Sequence, residues 1–144
     1  MPRRVATGVD PKRLAMIVAV LSRHAGVALG QADVFVNVAG GVRIDEPGAD
    51  LAVALALASA ARGTPVRPAT AAFGEIGLTG RLRPASQAER RLEECAKLGL
   101  DAALVPAGTK ARGKLGVVEI DTLRKAISAG LDADRTDARE IRAG

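Results

Sequence analysis

The chain has no tryptophan, no tyrosine and only two phenylalanines, Phe35 and Phe73, so little aromatic mass is available to fill a core. A single cysteine, Cys95, excludes an intrachain disulfide framework and a cysteine-based zinc site. The only histidine is His24, which excludes a histidine metal cluster and a Ser-His-Asp triad. No GxxxxGK[ST] run is present, so the chain lacks a P-loop. Neither a signal peptide nor a membrane span is visible, and a reducing cytoplasm is the expected compartment.

What remains is aliphatic and basic. Apolar residues make up 48% of the 144, enough for one domain with a core of Ala, Val, Leu and Ile. Such a core favours helices packed closely on a sheet, an α/β layering. The net charge is +5, which leans towards a polyanionic partner without requiring one. From Arg62 to Arg91 there are six arginines against two glutamates, and Lys110, Arg112 and Lys114 form a second basic cluster. Arginine forks suit phosphate oxygens.

The run from Leu51 to Ala61 is apolar at every position except Ser59. It reads as a helix covered on all sides, with Ala54, Ala58 and Ala61 forming a face without bulk. The polar turn Asp45-Glu46-Pro47-Gly48-Ala49-Asp50 delivers the chain into it. Three carboxylates there suit turn and cap roles better than a metal site, and Gly40-Gly41 reads as a turn.

Elsewhere, residues 1–9 read as a short basic lead-in. Asp10-Pro11 caps a helix whose stripe is Leu14, Ile17, Val18 and Leu21, with Lys12, Arg13 and Arg23 pointing away and Gly26 ending it. Strands are expected over 34–38, 42–44, 71–78, 102–105 and 117–120. Ser86-Gln87-Ala88-Glu89 reads as a capping box. The helix it opens would bury Ala88, Leu92, Cys95 and Ala96 and pair Arg90–Glu94 and Glu93–Lys97. Asp121 is expected to cap a last helix ending at Gly130. These readings divide the chain into a domain over 1–131 and a polar, frayed tail over 132–144.

Three blocks carry a resemblance: GVDPKRLAMIVAVLSRHAGV, ADVFVNVAGGVRIDEPGADLAVALALASA and FGEIGLTGRLRPASQAERRLEECAKLGLDAALVP. In order and spacing they resemble the carboxyl-terminal domain of the bacterial RadA (Sms) DNA repair family, itself similar to the proteolytic domain of Lon proteases. The resemblance implies a two-layer α/β (α+β) fold of the ribosomal protein S5 domain 2-like kind. It implies a place in a RecA-like ATPase that assembles as a ring, six-membered, and acts on branched recombination intermediates. ATP and magnesium would belong to that ATPase domain, with no cofactor in this chain. The implied partners are DNA, further copies of the chain and the ATPase domain, with no membrane.

Lon-type peptidases use a serine at the start of the buried helix and a lysine just after a G-R-x-x-P turn. By resemblance those positions are Gly48 and Glu89 here, so no catalytic residue is expected: glycine has no nucleophile and a carboxylate is not the lysine base. The resemblance and the charge together put DNA contact on Arg81, Arg83, Arg90, Arg91, Lys110, Arg112 and Lys114. Two other readings stand beside it, a purely structural oligomerisation scaffold and a residual Ser-Lys peptidase.

Overall fold

The computed structural model describes residues 1–111 and 113–134. Its first unit is β1 (Arg4–Thr7), α1 (Pro11–His24) and β2 (Val34–Asn37), the two strands pairing in parallel with Val5 opposite Phe35. The basic lead-in is thus partly a strand. Its alternation is only four residues long, and just Ala6 faces inward, which leaves little pattern to read. Asp10 caps α1 by accepting from the Arg13 backbone N–H at 3.3 Å, and the expected stripe is buried along with Val20. The strand expected over 42–44 shrinks to one bridge, Val9 to Ile44, because the turn at Gly40-Gly41 spends those residues on reversing the chain.

A short 3₁₀ turn, Pro47–Ala49, leads into α2 (Asp50–Arg62). The helix is not covered on all sides. Leu51, Ala54, Leu55, Leu57 and Ala58 are buried, while Ala52, Ala56, Ala60 and Ala61 are exposed. Alanine loses little by facing water, so the all-apolar run conceals two faces.

The strand expected over 71–78 breaks into β3 (Thr70–Ala72) and β4 (Glu75–Ile76). Gly74 sits between them at φ +153°, where a Cβ would lie 2.9 Å from the Pro106 ring, so both its backbone and its neighbour require glycine. β4 pairs antiparallel with β5 (Leu82–Arg83). Then come α3 (Ala88–Lys97), β6 (Ala102–Pro106), β7 (Gly116–Ile120) and α4 (Leu123–Gly130). A parallel sheet runs β3-β6-β7, and α1, α2 and α4 pack together around the larger core. The architecture is mixed α/β with small, mostly parallel sheets.

The capping box does not form. Gln87 takes the N-cap position at φ +54° with no side-chain cap, and Glu89 is exposed in the first turn. The reason lies in Arg91, whose Nε donates to the Ser86 carbonyl at 2.9 Å and fixes the entry in another conformation. Ala96 is exposed rather than part of the buried stripe. Lys97 pairs with Glu94 at 3.5 Å instead of Glu93, and no ion pair joins Arg90 to Glu94 among the described residues. α4 is capped by Thr122, whose hydroxyl accepts from the Lys125 N–H. Asp121, the expected cap, instead pairs with the Lys125 ammonium at 3.1 Å, and the hydrogen bond from Lys125 lowers its carboxyl pKa.

The folded body reaches past 131: Asp132 is buried, and its N–H donates to the Pro65 carbonyl at 2.7 Å. The rest of the expected tail from 135 onwards, and Arg112, lie outside the described residues.

Candidate functional site

The turn into α2 is held from three directions. Asp50, 2% exposed, receives the Arg13 guanidinium in a fork, Nε to Oδ1 at 2.6 Å and Nη2 to Oδ2 at 2.5 Å. Its Oδ2 also accepts the Ile76 N–H at 3.0 Å. Glu75 adds a second carboxylate 3.6 Å from Arg13. The hydrogen bond to Asp50 raises the Arg13 pKa further, so the guanidinium stays charged. Sequence reasoning missed this pair by placing Arg13 on the outer face. One signal was available: Arg13 stands four residues before the buried Ile17, on the same side of α1.

Gly48 is buried in the turn, its carbonyl accepting the Gly74 N–H at 2.8 Å. A Cβ there would lie 3.0 Å from the Ala85 Cβ and 3.1 Å from Arg91 Nη2. Arg91 is the neighbour that fills this corner. Its guanidinium pairs with Glu46, bonds the Ser86 carbonyl and lies 5.8 Å from the centre of the Phe73 ring. Glu89 stands exposed at the start of α3. Asp45 pairs with Arg43, so each carboxylate of the turn has an arginine.

Beside Arg91 a cleft of about 550 Å³ opens between β3 and α3, lined by Phe73, Gln87, Arg90 and Cys95 among others. Burial pushes the Cys95 thiol pKa up, away from the nucleophilic thiolate.

The expected DNA-contacting residues are dispersed. Arg81 and Arg83 share the β4–β5 hairpin, exposed on either side of the half-buried Leu82, so their side chains leave one face of the strand. Arg90 is exposed on the first turn of α3. Arg91 is committed to Glu46 and Ser86. Lys110 and Lys114 are exposed in the loop before β7, but Lys114 lies at the end where the Gly116 N–H meets the Asp101 carbonyl. Arg83 lies at the opposite end of the sheet, its carbonyl near Gly74 beside Pro106. Two more of the six arginines hold backbone carbonyls, Arg62 that of Ala25 and Arg67 that of Ala129.

The architecture and its buried turn define a mixed α/β domain in which a glycine and an arginine–glutamate pair occupy the mouth of the central helix. The chain belongs to the family described as subunit ChlI of Mg-chelatase, matched over residues 10–109. It is also similar to proteins named DNA repair protein RadA. The Haemophilus influenzae protein is 44% identical over 128 residues, 89% of this chain and 28% of that protein. The Bacillus subtilis protein is 41% identical over 135 residues, 90% and 29% of the two lengths. The Brucella abortus protein is 54% identical over 108 residues, 75% and 23%. The chain therefore spans less than a third of these relatives. Among the described residues no helix is long and apolar enough to cross a membrane.

Proposed function

We propose that this chain is the non-catalytic, Lon-like domain of a RadA-type DNA repair protein, with the two-layer S5 domain 2-like arrangement, contributing DNA contact and ring assembly. The observation that carries the non-catalytic reading is Arg91 paired with Glu46 beside Gly48. The corner that a nucleophilic hydroxyl would need holds a guanidinium, and Glu89 points its carboxylate to solvent as the first turn of a helix. The relatives' printed name, DNA repair protein RadA, supports the repair role. In this reading the longer parent protein is a cytoplasmic, RecA-like ATPase working on branched intermediates, with ATP and magnesium held in its ATPase domain. DNA contact falls chiefly on Arg81, Arg83 and Arg90, with Lys110 just past the Pro106 turn and Lys114, at the far end of the sheet, as an outlying contact.

The test is fluorescence anisotropy of single- and double-stranded oligonucleotides at several salt concentrations, on the chain and on an Arg81→Ala/Arg83→Ala variant. Phosphate contacts are indifferent to sequence and release counterions. The variant is therefore expected to bind unrelated sequences more weakly, with a log–log salt slope shallower by about two, and to melt within about 1–2 °C of the parent. Unchanged affinity and slope in the folded variant would remove DNA contact from this hairpin.

A further inference from the structure

The cleft of about 550 Å³ beside Arg91 has two unlike walls. One is the edge of the three-stranded sheet, where β3 pairs only with β6. The Phe73 N–H donates to the Leu104 carbonyl and the Ala69 carbonyl accepts from Ala102, so alternate residues of this segment serve the ladder. In a parallel ladder the residues between them turn their backbone groups the other way, which leaves the N–H and C=O of Thr70 and Ala72 on the open edge. Among the described residues nothing pairs with those groups outside the sheet. Ala72 packs its side chain against the larger core and still lines the cleft, so the cleft meets its backbone.

The other wall is α3. Gln87 holds its cap position in the left-handed region at φ +54° and gives no side-chain cap. The first N–H groups of the helix, at the positive end of its dipole, are therefore left without one. Four charged side chains line the cleft. Glu46 pairs with Arg91 and Glu94 with Lys97 at 3.5 Å, while Arg90 has no carboxylate partner among the described residues. Between the walls Phe73 and Cys95 supply an apolar floor.

We propose that this cleft takes an extended segment of a partner polypeptide, added as a strand to β3, with an acidic side chain of that segment on Arg90 and the start of α3. Each wall selects one part of that occupant. A bare strand edge is matched by another polypeptide backbone, which offers both donors and acceptors at the same spacing. A sugar–phosphate backbone has no N–H to give the Ala72 carbonyl. An uncapped helix start beside one unmatched guanidinium is matched by a carboxylate. Side chains of an added strand alternate, so every second one enters the cleft and meets the Phe73 floor or Arg90. Binding of this kind depends neither on DNA contact at the β4–β5 hairpin nor on assembly.

The experiment is fluorescence anisotropy of three labelled heptapeptides on the chain, on Arg90→Glu and on the Arg81→Ala/Arg83→Ala variant. One peptide alternates valine and glutamate, one valine and lysine, and the third is the first with its two inner valines replaced by proline. The proline peptide keeps the charge and loses the donors, which separates strand addition from general attraction to a chain of +5. Arg90 is exposed and glutamate is a good helix former, so Arg90→Glu is expected to keep its circular dichroism and melting temperature. The parent is expected to bind the valine–glutamate peptide about tenfold or more tightly than either control. Arg90→Glu should lose that preference over the lysine peptide, and the hairpin variant should bind as the parent does. Hydrogen exchange of the Ala72 amide should slow with bound peptide, while that of Phe73, already bonded to Leu104, stays as it was. No peptide bound at about 1 mM, or equal affinity for all three, would overturn the proposal. An unchanged preference in folded Arg90→Glu, or an Ala72 amide unmoved by bound peptide, would put the contact elsewhere and overturn it too. Oligonucleotide binding that only Arg90→Glu abolishes, with no peptide bound, would make the cleft a nucleic-acid surface and overturn it as well.

Discussion

At the residue scale the strongest constraint is the Arg13–Asp50 fork. Asp50 is buried where water cannot replace a lost partner, and it ties α1, α2 and the end of β4 to one carboxylate. Arg13→Ala is expected to destabilise the fold by about 3–5 kcal/mol, because an unpaired buried charge remains. Asp50→Asn should cost less, since the amide still accepts from Ile76. Urea unfolding of both variants and of the double variant reads the coupling: costs that add without interaction would mean the fork is not the stabilising unit. Cys95 is a second case. Burial raises its pKa, so at pH 8 little thiolate is present in the folded chain, and its reaction with Ellman's reagent is expected to be slower by about tenfold or more than in urea. Equal rates would mean that the α3 stripe does not cover it. The turn that holds Gly48 was legible because it is a local pattern, a polar run with Pro-Gly directly before an apolar one. Arg91 was not, since its partner Glu46 lies 45 residues away and no local pattern signals such a contact.

At the scale of elements, periodicity located α1, β2 and α2 and was weaker on their surroundings. The caps show why. Asp10 before Pro11 has no competitor and caps as expected, whereas Ser86 and Glu89 lose their box to an arginine that claims the Ser86 carbonyl. Likewise β3 and β4 look continuous until Gly74 meets Pro106, a contact across 32 positions that sequence spacing does not encode. α2 displays the limit most clearly, because an alanine in the core and an alanine in water look alike in sequence. Leu55, 2% exposed, and Ala56, exposed, are sequence neighbours that the helix turns to different faces. Leu55→Asp is expected to unfold the chain: a carboxylate buried without a partner costs several kcal/mol against a total of about 5–15. A Leu55→Asp protein that melted within a few degrees of the parent would mean that this helix face does not sit in the core.

At the scale of the whole molecule, the apolar interior divides unequally. The larger core joins α1, α2 and α4 to β2, β4 and the Leu104 side of β6. The smaller gathers Phe73, Leu92, Ala103 and Val105 beneath α3, on the other face of the β3-β6-β7 sheet. α3 offers only Leu92 and Cys95 as buried residues, and its N-terminus has no side-chain cap. Its hold on the body therefore depends on Leu92 and on the Arg91–Glu46 pair. Regions with few buried apolar contacts open below the global unfolding free energy. Leu92→Ala removes most of the apolar mass that α3 inserts, at a cost of about 2–4 kcal/mol if the whole chain registers it. Because the larger core does not include Leu92, the loss is expected to appear first as local opening. Hydrogen exchange across Ala88–Lys97 should then accelerate by about tenfold or more, while amides in α2 exchange as in the parent. A uniform acceleration through α2 and α3 would instead mean that the two cores unfold as one unit. That outcome would give α3, with Arg90 on its first turn, the same rigidity as the central helix.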